Sequence, residues 1–229
     1  NTDLWRPAFN SFYVAIIGCV LGLIGTCVAA YPMAYGNFYG KKLYVIIIMF
    51  TMWFNAGIVP LFLTIRQLGL YDSLWALILN SMITAYNVVI IRSYFSSIPF
   101  SVIESARIDG ATDYRILFQL VIPLSKPVLA TVALWLIVGH WNDYLNPLVL
   151  IHSQEHKTLQ LFLKELVLNA ETSTSNLASV NDATNKGVAA LSQQLKNGVL
   201  VVSMVPMLVL YPFLQKFFVS GVMLGSVKG

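Results

Sequence analysis

Five long apolar runs constrain this chain more than any other feature. They extend from about Phe9 to Tyr35, Leu43 to Ile65, Leu74 to Phe95, Val128 to Ile151 and Gly198 to Val219. Each offers about 20 mostly apolar residues, enough to cross a hydrocarbon core of ~30 Å as a helix. Backbone groups in lipid must be satisfied inside their own segment, which selects helices over open strands. Barrel strands would be about ten residues long and strictly alternating, and that pattern is absent. Composition agrees: 57% of the 229 residues are hydrophobic and 10% are charged, where a soluble domain carries about 25% charged residues. The expected fold is an all-α, polytopic transmembrane helical bundle, a single domain over residues 1–229.

Charges between the runs set the expected orientation. Lys41, Lys42, Arg92, Arg107, Arg115, Lys126, Lys216 and Lys228 fall on one side, which the positive-inside tendency assigns to the cytoplasm. Arg6, Arg66 and a long loop at 152–197, with Lys157, Lys164, Lys186 and Lys196, fall on the other. In that loop Leu159, Phe162, Leu163 and Leu166 have helical spacing, so Leu159 to Asn169 is expected as a short helix near the outer surface. The Ser-, Thr- and Asn-rich stretch after it reads as a loop. Asn1 would lie outside, with no leader before it, so an intact protein with a cytoplasmic start is expected to carry one more span upstream. The net charge of +4 is small, and no basic–aromatic block points to nucleic acid. Cys19 and Cys27, eight apart in one apolar run, are too distant for a disulfide and read as small packing residues.

Residues 99–126 form a polar island between the third and fourth runs. Pro99 opens it and Gly110 splits it into two short helices. Val102, Ile103 and Ala106 give the first an apolar face, with Glu104, Arg107 and Asp109 outward. The second is expected from Asp113 to Leu120, with Asp113 in its N-cap region and Pro123 and Pro127 ending it. Such a pair makes a knob suited to a groove on a soluble partner, with Ala106 and Ala111 allowing close approach.

The spacing Glu104-Ser105-Ala106, three residues, Gly110, nine residues, Leu120-x-Ile122-Pro123 resembles the EAA loop of ABC importer permeases. Ser105, Leu120 and Ile122 are mild departures from its pattern. RIDGA (Arg107 to Ala111), GLYDSLWALI (Gly69 to Ile78), IPLSKPVLATVAL (Ile122 to Leu134) and GHWNDYLNPL (Gly139 to Leu148) resemble the carbohydrate branch, in particular its alginate- and oligosaccharide-type permeases. The resemblance runs from about Trp5 to Gly229. It implies the permease subunit of an ATP-driven oligosaccharide importer, multi-pass in the inner (cytoplasmic) cell membrane and not itself an enzyme. It implies Glu104, Ser105, Ala106, Arg107, Asp109, Gly110, Ala111 and Pro123 as the residues that take the thrust of ATPase closure. The implied partners are a second, different permease, two ATPase subunits and an extracytoplasmic sugar-binding protein. ATP and Mg would sit on the ATPases, and this chain would hold no cofactor. Family members usually have six spans with the loop between the fourth and fifth, so five spans here fit the loss of the first.

Polar side chains within spans are costly, and they mark either a path or contacts between helices. Asn80, Thr84 and Asn87 follow one face of the third run, with Tyr86 close by. In the fourth, His140, Asp143 and Tyr144 share a face, with Trp141, Asn142 and Asn146 beside them and Pro147 loosening the backbone. Trp53 and Asn55 sit inside the second run, before Gly57 and Pro60. Sugar hydroxyls suit Asn and Asp, and sugar C–H faces stack on Trp and Tyr. The expected substrate path is therefore Asn87, Trp141, Asn142, Tyr86 and Asp143; the alternative is hydrogen bonding that only holds the bundle together. Gly18, Gly22, Thr26 and Ala30, four apart, should let another helix come close. His152 and His156 have no further metal ligand in view and read as surface histidines. GNFYGKK (Gly36 to Lys42) is one residue short of a phosphate loop and lacks the terminal Ser or Thr, so ATP hydrolysis is expected elsewhere. An ATP-independent channel or secondary carrier is the alternative function. Ion-coupled carriers usually need buried carboxylates or broken helices that bind ions, and only Asp143 stands well inside a run. No nucleophile–base pair supports a membrane enzyme.

Overall fold

The computed structural model describes residues 4–54 and 56–177, with a few single positions between 194 and 208. The helices are α1 (Trp5–Tyr35), α2 (Lys41–Trp53), α3 (Ile58–Gln67), α4 (Leu74–Asn80), α5 (Ala85–Phe95), α6 (Phe100–Ile108), α7 (Asp113–Ile116), α8 (Ile122–Leu124), α9 (Lys126–Asn142), α10 (Leu145–Leu150) and α11 (Leu159–Leu177). A π turn at Leu117–Val121 joins α7 to α8, and a 3-10 turn occupies Gln154–His156. No strand occurs among the described residues. The expected span at Gly198 to Val219, the outer loop beyond Leu177, and Lys216 and Lys228 lie outside the described residues, apart from those few positions.

α1 is the axis of the bundle. It lies mainly against α9 and α5, and then against α4. Its small residues make this possible: a Cβ on Gly18 would sit 2.5 Å from His140 Nε2, and one on Gly22 would sit 2.9 Å from the Met82 carbonyl oxygen. Thr26 is fully buried and donates to the Gly22 carbonyl at 2.6 Å. The small-residue stripe is thus a packing seam. Cys19 and Cys27 are free, buried thiols.

The two ends of α1 meet different parts of the chain. At its C-terminal end Tyr31, Met33 and Tyr35 join Phe95, Ile103, Ile116, Leu117 and Val121 in one buried cluster. At its N-terminal end Asn10 Nδ2 donates to the carbonyls of Glu155 (2.8 Å) and Lys157 (2.9 Å), while Ser11 Oγ accepts from Leu159 N at 2.8 Å. Asp72, in the turn between α3 and α4, adds a second tie there. Its Oδ1 accepts from His152 N (2.8 Å), Ser153 N (2.9 Å) and Ser153 Oγ (3.1 Å). Its φ of 59° is one that Asp tolerates better than most residues.

Several expected spans are broken. Among the described residues only α1 is long and apolar enough to cross a membrane unbroken. The second run divides into α2 and α3 around Gly57, whose φ is 84°; Asn55 lies outside the described residues. The third run bends by 49° between α4 and α5. There Thr84 starts a fresh helix by accepting from Asn87 N at 3.4 Å, and the intervening Met82 and Ile83 press on Gly22 and Gly25 of α1. Asn80, Thr84 and Asn87 therefore do not share one continuous helix face. The fourth run stops at Asn142, because a helix continuing through Pro147 would lose the bond to the Asp143 carbonyl and clash with it. Asp143 is extended (φ −70°, ψ 121°) and accepts from Asn146 N at 3.2 Å, which opens α10. It thus shares no helical face with His140 and Tyr144.

Three local expectations also change. α11 continues past Asn169 through the Ser/Thr stretch to Leu177; Ser and Thr lower helix propensity only slightly once preceding turns have formed. Thr112, not Asp113, caps α7, its Oγ1 accepting from Arg115 N at 3.4 Å. Pro123 does not end the second loop helix either, since it lies in the first turn of α8, which follows the π turn and is capped at Ser125.

Candidate functional site

The first region is a concave face at the three helix breaks. A cavity of about 530 Å³ opens between α5 and α9, with Tyr86, Asn87, Trp135, Asn142 and Asp143 in its wall. A second, of about 660 Å³, lies beside it against α3, with Thr64 and Asn80 in its wall. Asp143 and Asn146 belong to both and form the ridge between them. The Asp143 carboxylate is held by its neighbour, Oδ2 accepting from Asn146 Nδ2 at 2.7 Å. Tyr86 and Trp135 place their ring centroids 5.7 Å apart at 38°, a tilted pair with apolar surface toward the opening. Asn87 is buried, whereas Tyr86 and Asn142 are exposed.

Four of the five expected path residues, Tyr86, Asn87, Asn142 and Asp143, meet in this cavity wall. Trp141 does not. It is 2% exposed, packs with Leu159 and Leu163 of α11, and sets its ring 5.1 Å from that of Phe12. Helical period explains the split: Trp135, Gly139 and Asn142 stand at i, i+4 and i+7 and share the cavity face, and Trp141 projects from another. That spacing was the signal for Trp135, which the sequence reading missed. His140 was noted, but its position was not foreseen. It is buried at 7% exposure, reaches the cavity wall, and rests its Nε2, without a hydrogen-bond partner among the described residues, over Gly18.

The second region is the loop of α6 and α7. α6 ends in a Schellman motif: Ala111 N donates to the Ala106 carbonyl at 3.0 Å and Gly110 N to the Arg107 carbonyl at 3.0 Å. Gly110 has φ 80°, and a Cβ there would meet nothing within 4 Å, so its constraint is conformational and not a matter of space. The motif gives the sequence spacing a physical meaning. Ala106 and Ala111 occupy the two positions that touch when a helix ends this way, and glycine must stand at the left-handed residue between them. Ile103, Ile116 and Val121 are buried in the bundle core and fix the loop to it. Glu104, Ser105, Arg107, Asp109 and Pro123 remain exposed. Ile108 and Tyr114, 80% and 76% exposed, add apolar area to the same surface and were not singled out from sequence. Arg107 Nη2 donates to Asp113 Oδ1 at 3.1 Å.

Residues 14–180 match the family described as binding-protein-dependent transport system inner membrane components. The chain belongs to this family, and it is a membrane permease of the all-helical ABC importer type. Among its relatives, the polygalacturonan/rhamnogalacturonan transport system permease protein YtcP of Bacillus subtilis is 35% identical over 230 residues, covering 100% of this chain and 79% of that protein. An arabinooligosaccharides transport system permease, AraQ of Halalkalibacterium halodurans, is 29% identical over 98% of this chain and 75% of that protein. A crystal structure of a bacterial ABC transporter involved in the import of the acidic polysaccharide alginate contains a chain of the same fold. It has a TM-score of 0.81 and 33% identity, and the match covers 95% of this chain and 76% of that one.

Proposed function

We propose that this chain is one of two permease subunits of an ATP-driven oligosaccharide importer, and that the α6–α7 loop is where its ATPase partners dock. The observation that carries the reading is the loop itself. It is rigidly capped at Gly110, pinned to the core through Ile103 and Ile116, and otherwise exposed with charged and apolar side chains outward. A connector with no partner has no need of that combination. The names of YtcP and AraQ, and the alginate importer whose permease shares the fold, refer to transport of oligo- or polysaccharides and support the cargo class. The cavity wall suits it: amide and carboxylate groups for hydroxyls, and the Tyr86–Trp135 pair for a sugar's apolar face. A path must release what it binds, so scattered contacts fit transport better than an enclosing pocket. Closure of the ATPases would move the loop as a rigid body and switch the cavity between outward and inward access.

The test is to purify the intact complex through a tag on this chain and reconstitute it with its sugar-binding protein. ATPase subunits should copurify, and uptake of an oligosaccharide should require ATP. Uptake at full rate without ATP would mean a channel or secondary carrier instead.

A further inference from the structure

A single carboxylate oxygen ties the docking loop to the axis of the bundle. Tyr31, near the C-terminal end of α1, donates from its hydroxyl to Asp113 Oδ1 at 3.0 Å. The same oxygen accepts from Arg107 Nη2 at 3.1 Å. Arg107 lies in the last turn of α6 and Asp113 begins α7, so α1, α6 and α7 converge on one atom. The ion pair alone is exposed, with side chains 39% and 64% accessible, and such pairs hold little by themselves. Tyr31 differs because its residue is only 8% exposed, so its hydroxyl has few alternatives to Asp113.

α1 then runs from this junction to the path. Thirteen residues back, about 20 Å along the helix, Gly18 carries the His140 ring directly against its backbone, and His140 belongs to the cavity wall. A cavity of about 470 Å³ beside the junction, with Tyr31, Arg107, Asp113 and Tyr114 in its wall, leaves room for α7 to shift against α1. We propose that Tyr31 is a positioning residue for energy coupling: its bond to Asp113 makes α1 follow the loop, and α1 carries that displacement to His140 and the cavity. The inference rests on the loop being the ATPase dock. It adds a specific mechanical link to that reading.

The experiment uses the whole complex in liposomes with its binding protein and reads ATP hydrolysed per sugar delivered. Tyr31→Phe keeps the ring and removes the donor. It should raise that ratio about two- to tenfold, the range set by one hydrogen bond, with the ATPase subunits still bound. Asp113→Leu should do the same, while Asp113→Asn, which keeps an acceptor for Tyr31, should stay near wild type. The double variant Tyr31→Phe/Asp113→Leu should be no worse than either single one, because both remove the same link. An unchanged ratio in Tyr31→Phe, or independent, multiplying effects in the double variant, overturns the proposal. So does loss of ATPase attachment in both Asp113 variants, which would make the carboxylate a docking contact. Should Tyr31→Phe fail to assemble, the contrast between Asp113→Leu and Asp113→Asn decides alone. A wild-type complex that transports without ATP would remove the docking reading itself, a distinct failure.

Discussion

The proposed docking loop and the proposed path cavity are built in opposite ways. The loop is contiguous: a proline start, a Schellman stop at Gly110, a threonine cap and two buried isoleucines, all within residues 99–116. The cavity is assembled from distant pieces, the ends of α4, α5, α9 and α10 and the start of α3, each at a break in what looks like one span. Local rules therefore specify the loop, and long-range packing specifies the cavity. The loop suits rigid transmission of force. The cavity, whose walls belong to separable segments, suits a change of shape.

The largest expected effect tests where the cavity ends. Trp141 belongs to the α1–α11 contact and not to the cavity wall, so Trp141→Ala should cost stability, ~3–5 kcal/mol for loss of a buried large side chain. Thermal unfolding of the detergent-solubilised protein should show it clearly, and Asn142→Ala should leave the midpoint almost unchanged. Equal stability losses in the two variants would erase the distinction between the faces. Next in size is Gly110→Val, which forces a β-branched residue to φ 80° at about 1–3 kcal/mol of local strain. ATPase copurification should drop sharply, while Gly110→Asn, better suited to that conformation, should retain most of it. Similar losses in both would place the constraint in space outside this chain and not in its backbone.

The smallest effect lies at the far end of α1. Partial burial raises the Asp72 pKa, but hydrogen bonds from Ser153 and His152 outweigh it, with a further contribution from His156, and the net shift is downward. A lowered folded-state pKa gives stability that is present above the unfolded value of about 3.9 and disappears as pH falls through the folded value. Asp72→Asn should therefore lose that contribution, with a modest drop in stability at neutral pH, a flatter acid limb below about pH 4, and convergence with the wild-type protein at the lowest pH. An identical acid limb in the variant would show that this tie contributes nothing there.

The same contrast explains what was legible in the sequence. The split at Gly110, the buried face of Ile103 and the small-residue seam of α1 follow from short-range chemistry, and they could be read directly. The breaks at 81–84 and Asp143 could not be read from hydropathy, because each run regains its apolar content beyond the break. The cues were present as Pro147, four residues after Asp143, and Thr84, three before Asn87, but each also fits a continuous helix with a tolerated polar residue. The burial of Trp141 was hidden for a related reason. A tryptophan beside Asn142 looks like part of a sugar face until α11 is known to cover it. Trp135 was hidden by its apolar neighbours, although its spacing to Gly139 and Asn142 placed it on the cavity side.

The most direct test compares one change in each region within the same reconstituted complex. Glu104→Arg alters the exposed docking face, and Asn142→Ala alters the cavity wall. For each, ATPase attachment and sugar uptake are measured together with affinity for the sugar-loaded binding protein. The account predicts that Glu104→Arg loses attachment and uptake together. It predicts that Asn142→Ala keeps full attachment and binding-protein affinity and loses uptake alone. Full ATPase attachment in Glu104→Arg, or unimpaired uptake in a well-expressed Asn142→Ala complex, would contradict the division of labour between the two regions.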